Sequence, residues 1–436
     1  MRFHGTMRVN ERGHLEIGGC DTVELAREFG TPLYVLDEAL FRHNCREYYR
    51  HFVGRYGGKV LYAGKALLTL AVCRLVYEEG LGLDLVSGGE IYTAREAGFP
   101  MDRVYFHGNN KSPAEIDLAL KVGVGRFVVD NFYELEVLEA AALERGRTVD
   151  VLLRVTPGIE AHTHDYIKTG QNDSKFGLAV DTGQALAGVR RCLRARALRF
   201  RGLHCHIGSQ IFELEAFAHA AAVMMDFARV VYEETGTVIE ELNLGGGLGI
   251  YYAEPDDPPE IGDLAEVLGP RVREEAARHG LPVPCLVVEP GRSIVGPAGT
   301  TLYTVGAVKD IPGVRRYVAV DGGMGDNPRP ALYGARYEAC LANRAGEAPV
   351  ETVTVAGKYC ESGDVLIRDA RLPRVESGDL LAVFCTGAYN YTMSMNYNRV
   401  PRPAMVLVRD GRAELIVRRE TYADLLRCDL LPESLR

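Results

Sequence analysis

No run of Lys and Arg interrupts this chain, no stretch approaches the roughly eighteen uninterrupted apolar residues of a membrane span, and no two cysteines form a C-x-x-C pair. Each absence excludes a class of function. Without a basic stripe a nucleic-acid backbone has no electrostatic footprint, and 50 Lys and Arg against 59 Asp and Glu leave a net charge of -9. The stretch from Met1 to Gly13 mixes Arg, His, Glu and Asn where a signal peptide needs an apolar core, so a cytoplasmic protein is expected. Ten scattered cysteines, in a chain too long to need disulfides, read as reduced thiols serving mostly as small core residues. Cys360 alone sits in a polar, Gly-containing context that suits a chemical role. Internal repeats and low-complexity tracts are also missing. What remains is an ordinary globular composition, 47% apolar and 25% charged over 436 residues. At about 150 residues per domain that length predicts two or three domains.

From about residue 59 to 295, short β-rich apolar runs alternate with longer stretches of helical period, the pattern of parallel βα units. Eight runs are legible: Val60–Gly64, Leu81–Val86, Arg103–Gly108, Arg126–Asp130, Val149–Val155, Phe200–Ile207, Glu241–Gly246 and Pro284–Pro290. Between the first two, Leu68, Ala71, Val72, Leu75 and Val76 form one apolar helix face. Eight strands with intervening helices predict an α/β fold, a (β/α)8 TIM-type barrel over residues 37–295, with chemistry at the C-terminal strand ends. Beyond residue 296 the runs Thr300–Lys309, Arg316–Val320, Glu351–Ala356, Asp379–Phe384 and Pro403–Val408 lack long helices between them. They predict a second, antiparallel β domain of residues 296–436, sandwich-like or Greek-key-like. Residues 1–36 are expected to join it through His14–Ile17 and Leu33–Val35.

The unusual polar and Gly residues fall where the eight runs end. Lys65 follows the first. Read alone it is an ordinary surface lysine; at the inner mouth of a barrel it is desolvated, its amine pKa falls, and it becomes a Schiff-base nucleophile. His204-Cys205-His206-Ile207-Gly208-Ser209 closes the sixth run. Alternation points both histidines to one side, so a metal pair is one reading, but no carboxylate or third histidine at ligand spacing completes it. The other reading lays one imidazole flat on a ring while the Gly-Ser turn donates to a phosphate. Gly245-Gly246-Gly247-Leu248-Gly249 closes the seventh run, where barrels commonly bind phosphate through close backbone amides. Glu289-Pro290-Gly291-Arg292 closes the eighth with a carboxylate and a guanidinium, which could equally form a plain salt bridge. Taken together the set describes pyridoxal phosphate: an amine for its aldehyde, amides for its phosphate and a carboxylate for its pyridine nitrogen. No metal is expected. His162 and His164, after the fifth run, receive no role beyond surface or rim positions.

From about Thr31 to Tyr422 the chain resembles the bacterial diaminopimelate decarboxylases, pyridoxal-phosphate enzymes of the alanine-racemase-like fold. Besides the segments above, the resemblance rests on Asp84 to Glu90, His107 to Ser112, Ser174 to Gly177, Asp321 to Met324, Arg329 to Tyr333, Cys360 to Asp364 and Gly387 to Tyr389. At Gly64 and Leu67 the chain departs from the family, in which Val precedes Lys-Ala and Asn follows it; the lysine itself is untouched.

The resemblance implies that Lys65 carries the Schiff base, His206 stacks on the cofactor ring and Glu289 meets its nitrogen. It gives the phosphate to Ser209, Gly247, the Gly291 and Arg292 amides and Tyr389. It implies that Arg292, Arg329 and Tyr333 hold substrate carboxylates, that Glu361 receives the distal ammonium, and that Cys360 donates a proton across a homodimer interface, with Tyr389 also lining the substrate. Asp84 receives no role. The implied reaction converts meso-2,6-diaminopimelate to L-lysine and carbon dioxide. The alternatives are a related decarboxylase of ornithine, arginine or carboxynorspermidine, a racemase, and a silent cofactor-binding protein. Glu289 makes an electron sink stronger than racemisation requires, and the intact Lys65 and Cys360 speak against a silent binder.

Overall fold

The computed structural model describes residues 2–158 and 174–436, which divide into two compact units. One unit spans Arg42–Ile250 and Asp257–Ile294. Its eight strands are β1 (Lys59–Ala63), β2 (Gly82–Leu85), β3 (Val104–Phe106), β4 (Arg126–Val129), β5 (Val149–Thr156), β6 (Leu198–His204), β7 (Glu241–Asn243) and β8 (Cys285–Val288). All neighbours run parallel, and β8 pairs with β1 through Val287↔Lys59 and Val288↔Val60, which closes the barrel. A short extra strand, Leu178–Ala179, adds to β5. The barrel interior is a packed core rather than a pore: Leu61, Tyr105, Val128, Leu152 and Val287, from five strands, form one buried cluster.

Local chemistry sets where each strand hands over to its helix. The helix Leu70–Glu78 starts on Thr69, whose side chain accepts from Val72 N, and buries Val72, Cys73, Leu75 and Val76. Ser87, Ser112 and Asn131 cap the next three helices in the same way, the second through a full capping box with Glu115. Caps this close to the strand ends leave short loops, and short loops keep strand-end side chains at the barrel's C-terminal mouth.

The second unit comprises the residues up to Phe41, Tyr251–Asp256 and Val295–Arg436. Its axis is the long strand Gly299–Ile311. The first half of that strand pairs with Leu33–Asp37 and Leu380–Val383, and its second half with Arg315–Val320. Antiparallel pairing dominates, with two parallel exceptions, Arg315–Val320 beside Glu351–Ala356 and Leu33–Asp37 beside Ala404–Arg409. Leu33–Val35 therefore enters this sheet as expected. His14–Ile17 does not: Leu15–Ile17 lies in a separate three-stranded sheet with Arg8–Val9 and Cys20–Asp21. The cause is the two-residue turn Gly18-Gly19, at φ 60° and 78°, which folds the strand back on itself and uses up both its edges locally.

The opposite, N-terminal end of the barrel is tied by charge. Buried Glu241, first residue of β7, accepts from Lys59 Nζ at 2.5 Å, Tyr105 Oη at 2.9 Å and Arg126 Nη2 at 2.7 Å. Arg126 also reaches Asp150 at 2.6 Å, so β1, β3, β4, β5 and β7 share one network. Burial opposes ionisation of Glu241, but hydrogen bonds and charge from Arg126 and Lys59 outweigh it and hold the carboxyl below its usual range. Glu241→Gln should therefore cost about 3 kcal/mol in urea denaturation at pH 7. A depressed carboxyl stabilises above its unfolded pKa and loses that contribution as pH falls, so the gap to wild type should narrow below about pH 4.

Candidate active site

Lys65 follows β1 on a turn, Gly64–Ala66, that is pinned from two sides: Ala63 N donates to Pro290 O at 3.0 Å and Gly64 N to Asp84 O at 2.9 Å. Gly64 sits so close to β2 that an added Cβ would lie 2.8 Å from Leu85 Cδ2. One expectation fails here. Lys65 is exposed rather than desolvated on the turn that follows the last strand residue. Its charge acts on Asp84, Glu90 and His206.

At the end of β8, Glu289 is 7% exposed. Asn243, the last residue of β7, donates Nδ2–H to Glu289 Oε1 at 2.6 Å and accepts Gly245 N–H at 2.9 Å through Oδ1. His204 Nε2 lies 3.1 Å from Glu289 Oε2, and His107 Nε2, beyond the end of β3, lies 2.8 Å from Oε1. Burial opposes charge on Glu289, yet His107 and His204 outweigh it and hold the carboxyl well below its usual range. Burial pushes His204 down to about 4 against the pull of Glu289, so its imidazole is neutral and its Nε2–H donates to the carboxylate. His107, His204 and Glu289 bring ligand-type atoms within 4.8 Å of one another, so the fold sets a histidine and a carboxylate beside His204, while His206 is not part of that cluster. His204 Nε2 and the Asn243 amide nonetheless donate to an anion, and His107 Nε2 lies close beside it.

His206 Nδ1 accepts the N–H of Gly246 at 3.3 Å, and an added Cβ on Gly245 would stand 2.7 Å from that nitrogen, so the imidazole lies against the Gly-rich turn. Burial first, then the charges of Lys65 and Arg154, hold His206 well below its ordinary pKa and keep the ring neutral. The turn tolerates no side chain: a Cβ on Gly246 would lie 2.1 Å from Glu289 O, and one on Gly247, at φ 124°, 2.5 Å from Gly208 O. Arg292 donates from Nε and Nη2 to Ser209 Oγ at 3.2 and 2.9 Å, joining the β6 and β8 ends. These features fit pyridoxal phosphate. A neutral imidazole, a glycine cradle and a buried carboxylate surrounded by donors converge beside a lysine.

The remaining expected residues belong to the sheet unit. Cys360 and Glu361 are exposed on the loop after Glu351–Ala356. Asn398 Oδ1 accepts Cys360 N–H at 2.8 Å, and buried Asp364 accepts Met324 N–H at 2.7 Å and Tyr359 N–H at 2.9 Å, which fixes the base of that loop. Arg329 and Tyr333 bound the one-turn helix Arg329–Tyr333. The Arg329 guanidinium is 6% exposed, donates to Tyr337 Oη at 2.5 Å and lies 4.7 Å from the Tyr252 ring centre. Tyr389 is held at φ 60°, a left-handed conformation rare for a residue with a side chain. His162 and His164 lie outside the described residues.

Sequence reading missed Asn243, His107, Arg154, Tyr252 and Tyr337. Asn243 had a usable signal, a polar residue between Leu242 and Leu244 inside the run Glu241–Gly246. Tyr252 and Tyr337 had none, since only the fold brings them to Arg329.

Comparison with known proteins agrees with this geometry. A family model described as the pyridoxal binding domain of pyridoxal-dependent decarboxylases matches residues 39–296. A diaminopimelate decarboxylase of Bacillus subtilis is 54% identical over 99% of this chain and 98% of its own length. One from Synechocystis is 47% identical over 99% of this chain and 93% of its own. The crystal structure of a diaminopimelate decarboxylase from M. jannaschii, in complex with L-lysine, superposes with a TM-score of 0.93 at 38% identity, covering 100% of both chains. Barrel, site and full-length similarity together place the chain in the diaminopimelate decarboxylase family of pyridoxal-phosphate-dependent enzymes.

Proposed function

We propose that the chain decarboxylates meso-2,6-diaminopimelate to L-lysine and carbon dioxide, the last step of lysine biosynthesis, using pyridoxal phosphate held in the barrel of residues 37–295. The observation that carries this reading is Glu289, a buried anion surrounded by donors and sharing the strand-end mouth with Lys65. When bound, the cofactor supplies an electron sink for the carbon–carboxylate bond that breaks. Lys65 would supply the amine that holds its aldehyde. Glu289 would pair with the ring nitrogen and favour its protonated form, and neutral His206 would stack on the ring. Ser209, Gly247 and the Gly291 and Arg292 amides hold the phosphate, a role we also assign to Tyr389, which in addition lines the substrate.

Substrate choice follows from charge counting. Diaminopimelate carries a carboxylate and an ammonium at its distal end, whereas lysine and ornithine carry only the ammonium. Arg292, Arg329 and Tyr333 would take carboxylates through charge-assisted, two-pronged bonds, and Glu361 the ammonium. Arg329 is buried against two tyrosine rings, so a substrate without the distal carboxylate leaves a buried cation unmatched. That costs on the order of 4 kcal/mol, about a thousandfold in discrimination. Carbon dioxide release by the purified holoenzyme on a panel of diamino acids tests this directly. Meso-diaminopimelate should exceed lysine, ornithine, arginine and carboxynorspermidine by about that factor. Equal release from ornithine or lysine would move the assignment to a related decarboxylase.

Cys360, exposed on its fixed loop, is the proposed proton donor, acting in a homodimer whose sites are completed by the partner subunit's Cys360. Ten unpaired cysteines and a soluble amino-acid substrate support a cytoplasmic location. Lys65→Ala and Cys360→Ala proteins, each inactive alone, should regain about a quarter of full activity after subunit exchange at equal mixing. Half of the dimers are then hybrids and each hybrid has one intact site. Demonstrated exchange with no recovery would mean that both residues act within one chain.

A further inference from the structure

The role given to Glu289 requires it to stay ionised, and two buried carboxylates compete for the charge. Asp84, at the end of β2, and Glu289 approach the same atom: His107 Nε2 lies 2.8 Å from Glu289 Oε1 and 3.6 Å from Asp84 Oδ1. Asp84 is 3% exposed and His107 4%. Neither Asp84 Oδ1 nor His107 Nε2 has a well-aligned hydrogen-bond partner among the described residues. The His107 ring meets that of His204 edge-on, with centres 4.8 Å apart and planes at 69°. One imidazole nitrogen with one proton serves one carboxylate well, and the nearer one is Glu289. We propose that His107 is a positioning residue whose Nε2–H selects Glu289 over Asp84 as the anion and thereby sets the protonation of the cofactor's ring nitrogen.

The directions of the two carboxyls agree with that division. Burial raises Asp84 against the charges of His107, Lys65 and Arg154, with Glu289 adding to the rise, whereas Glu289 is held low despite its burial. Two acids pushed apart in this way divide their labour. Other titratable groups also face the pair, among them Glu90, whose carboxyl is pushed up to about 7 by burial and by the charge of Asp84. His204 is neutral and donates to Oε2, Asn243 donates to Oε1, His206 is neutral, and Lys65 and Arg154 supply positive charge to both carboxylates' surroundings. Without His107, Glu289 loses a close N–H group and Asp84 loses the imidazole beside it, so a proton settles on the carboxyl rather than on the ring.

The inference rests on the assignment of Glu289 to the ring nitrogen, and one experiment separates the two. Pyridoxal phosphate labelled with 15N in the ring is reconstituted into wild type, Glu289→Gln, His107→Phe and His107→Gln, and the nitrogen shift is followed against pH. Wild type should show a protonated ring nitrogen at pH 7. His107→Phe should lower the pH at which that nitrogen loses its proton by roughly one unit, a tenfold change in the proton equilibrium. His107→Gln keeps an N–H donor and should restore most of the wild-type behaviour. If the phenylalanine variant does not fold, His107→Ala with added imidazole takes its place, and imidazole should return the shift toward wild type. An unchanged shift in His107→Phe, or in His107→Ala without imidazole, beside a changed one in Glu289→Gln overturns the role of His107 and leaves Glu289 standing. An unchanged shift in Glu289→Gln overturns both.

Discussion

A carboxylate buried as deeply as Glu289 persists as an anion only where donors replace the water it has lost, and the C-terminal mouth of this barrel is arranged around that requirement. The donors arrive on different strands, Asn243 from β7, His204 from β6 and His107 from beyond β3. No local segment could assemble them. Barrel closure, from β8 back to β1, is what brings Lys65 and Glu289 to one rim, and the hydrogen bond from Ala63 to Pro290 joins their two turns directly. The fold is in this sense a device for concentrating strand-end chemistry, and a shift of one strand in register would separate the carboxylate from its donors.

The two ends of the barrel handle buried charge differently. At the N-terminal end Glu241 is satisfied by cations and a phenol, and its effect is stability. At the C-terminal end, among the described residues, Asp84 Oδ1 and His204 Nδ1 have no hydrogen-bond partner. Unsatisfied buried polar atoms are destabilising in a finished core, and they are characteristic of a place built to receive something polar. The glycine turn after β7 says the same in steric language, since any Cβ on Gly246 or Gly247 would strike backbone carbonyls.

Much of this was legible from residue order. Short β-rich apolar runs separated by helical stretches located all eight barrel strands, because strands buried on both faces read as compact apolar blocks. Lys65, His206, Gly247, Glu289 and Arg292 stood out because each is a polar or glycine residue placed where such a block stops. The strands Ala339–Leu341, Val365–Leu372 and Arg412–Val417 were not read. Val365–Leu372 carries Arg368, Asp369 and Arg371 on a sheet edge, so its apolar signal is diluted by solvent-facing charge. Arg412–Val417 is signalled only by Asp410-Gly411, the two-residue hairpin turn that precedes it. Lys65 was expected to be desolvated and is exposed, because proximity to a strand end does not tell which way the following turn lifts a side chain. Partnerships such as His107 with Glu289, separated by most of the barrel in sequence, follow only from closure.

The central claim is that Lys65 holds the cofactor at the mouth that Glu289 organises. Borohydride reduction of the holoenzyme, followed by proteolysis and mass mapping, reads this out as a covalent mark. The account predicts a pyridoxyl group on the peptide containing Lys65 and on no other lysine. A reduced adduct on any other lysine, or none anywhere in protein that retains bound cofactor, would contradict it.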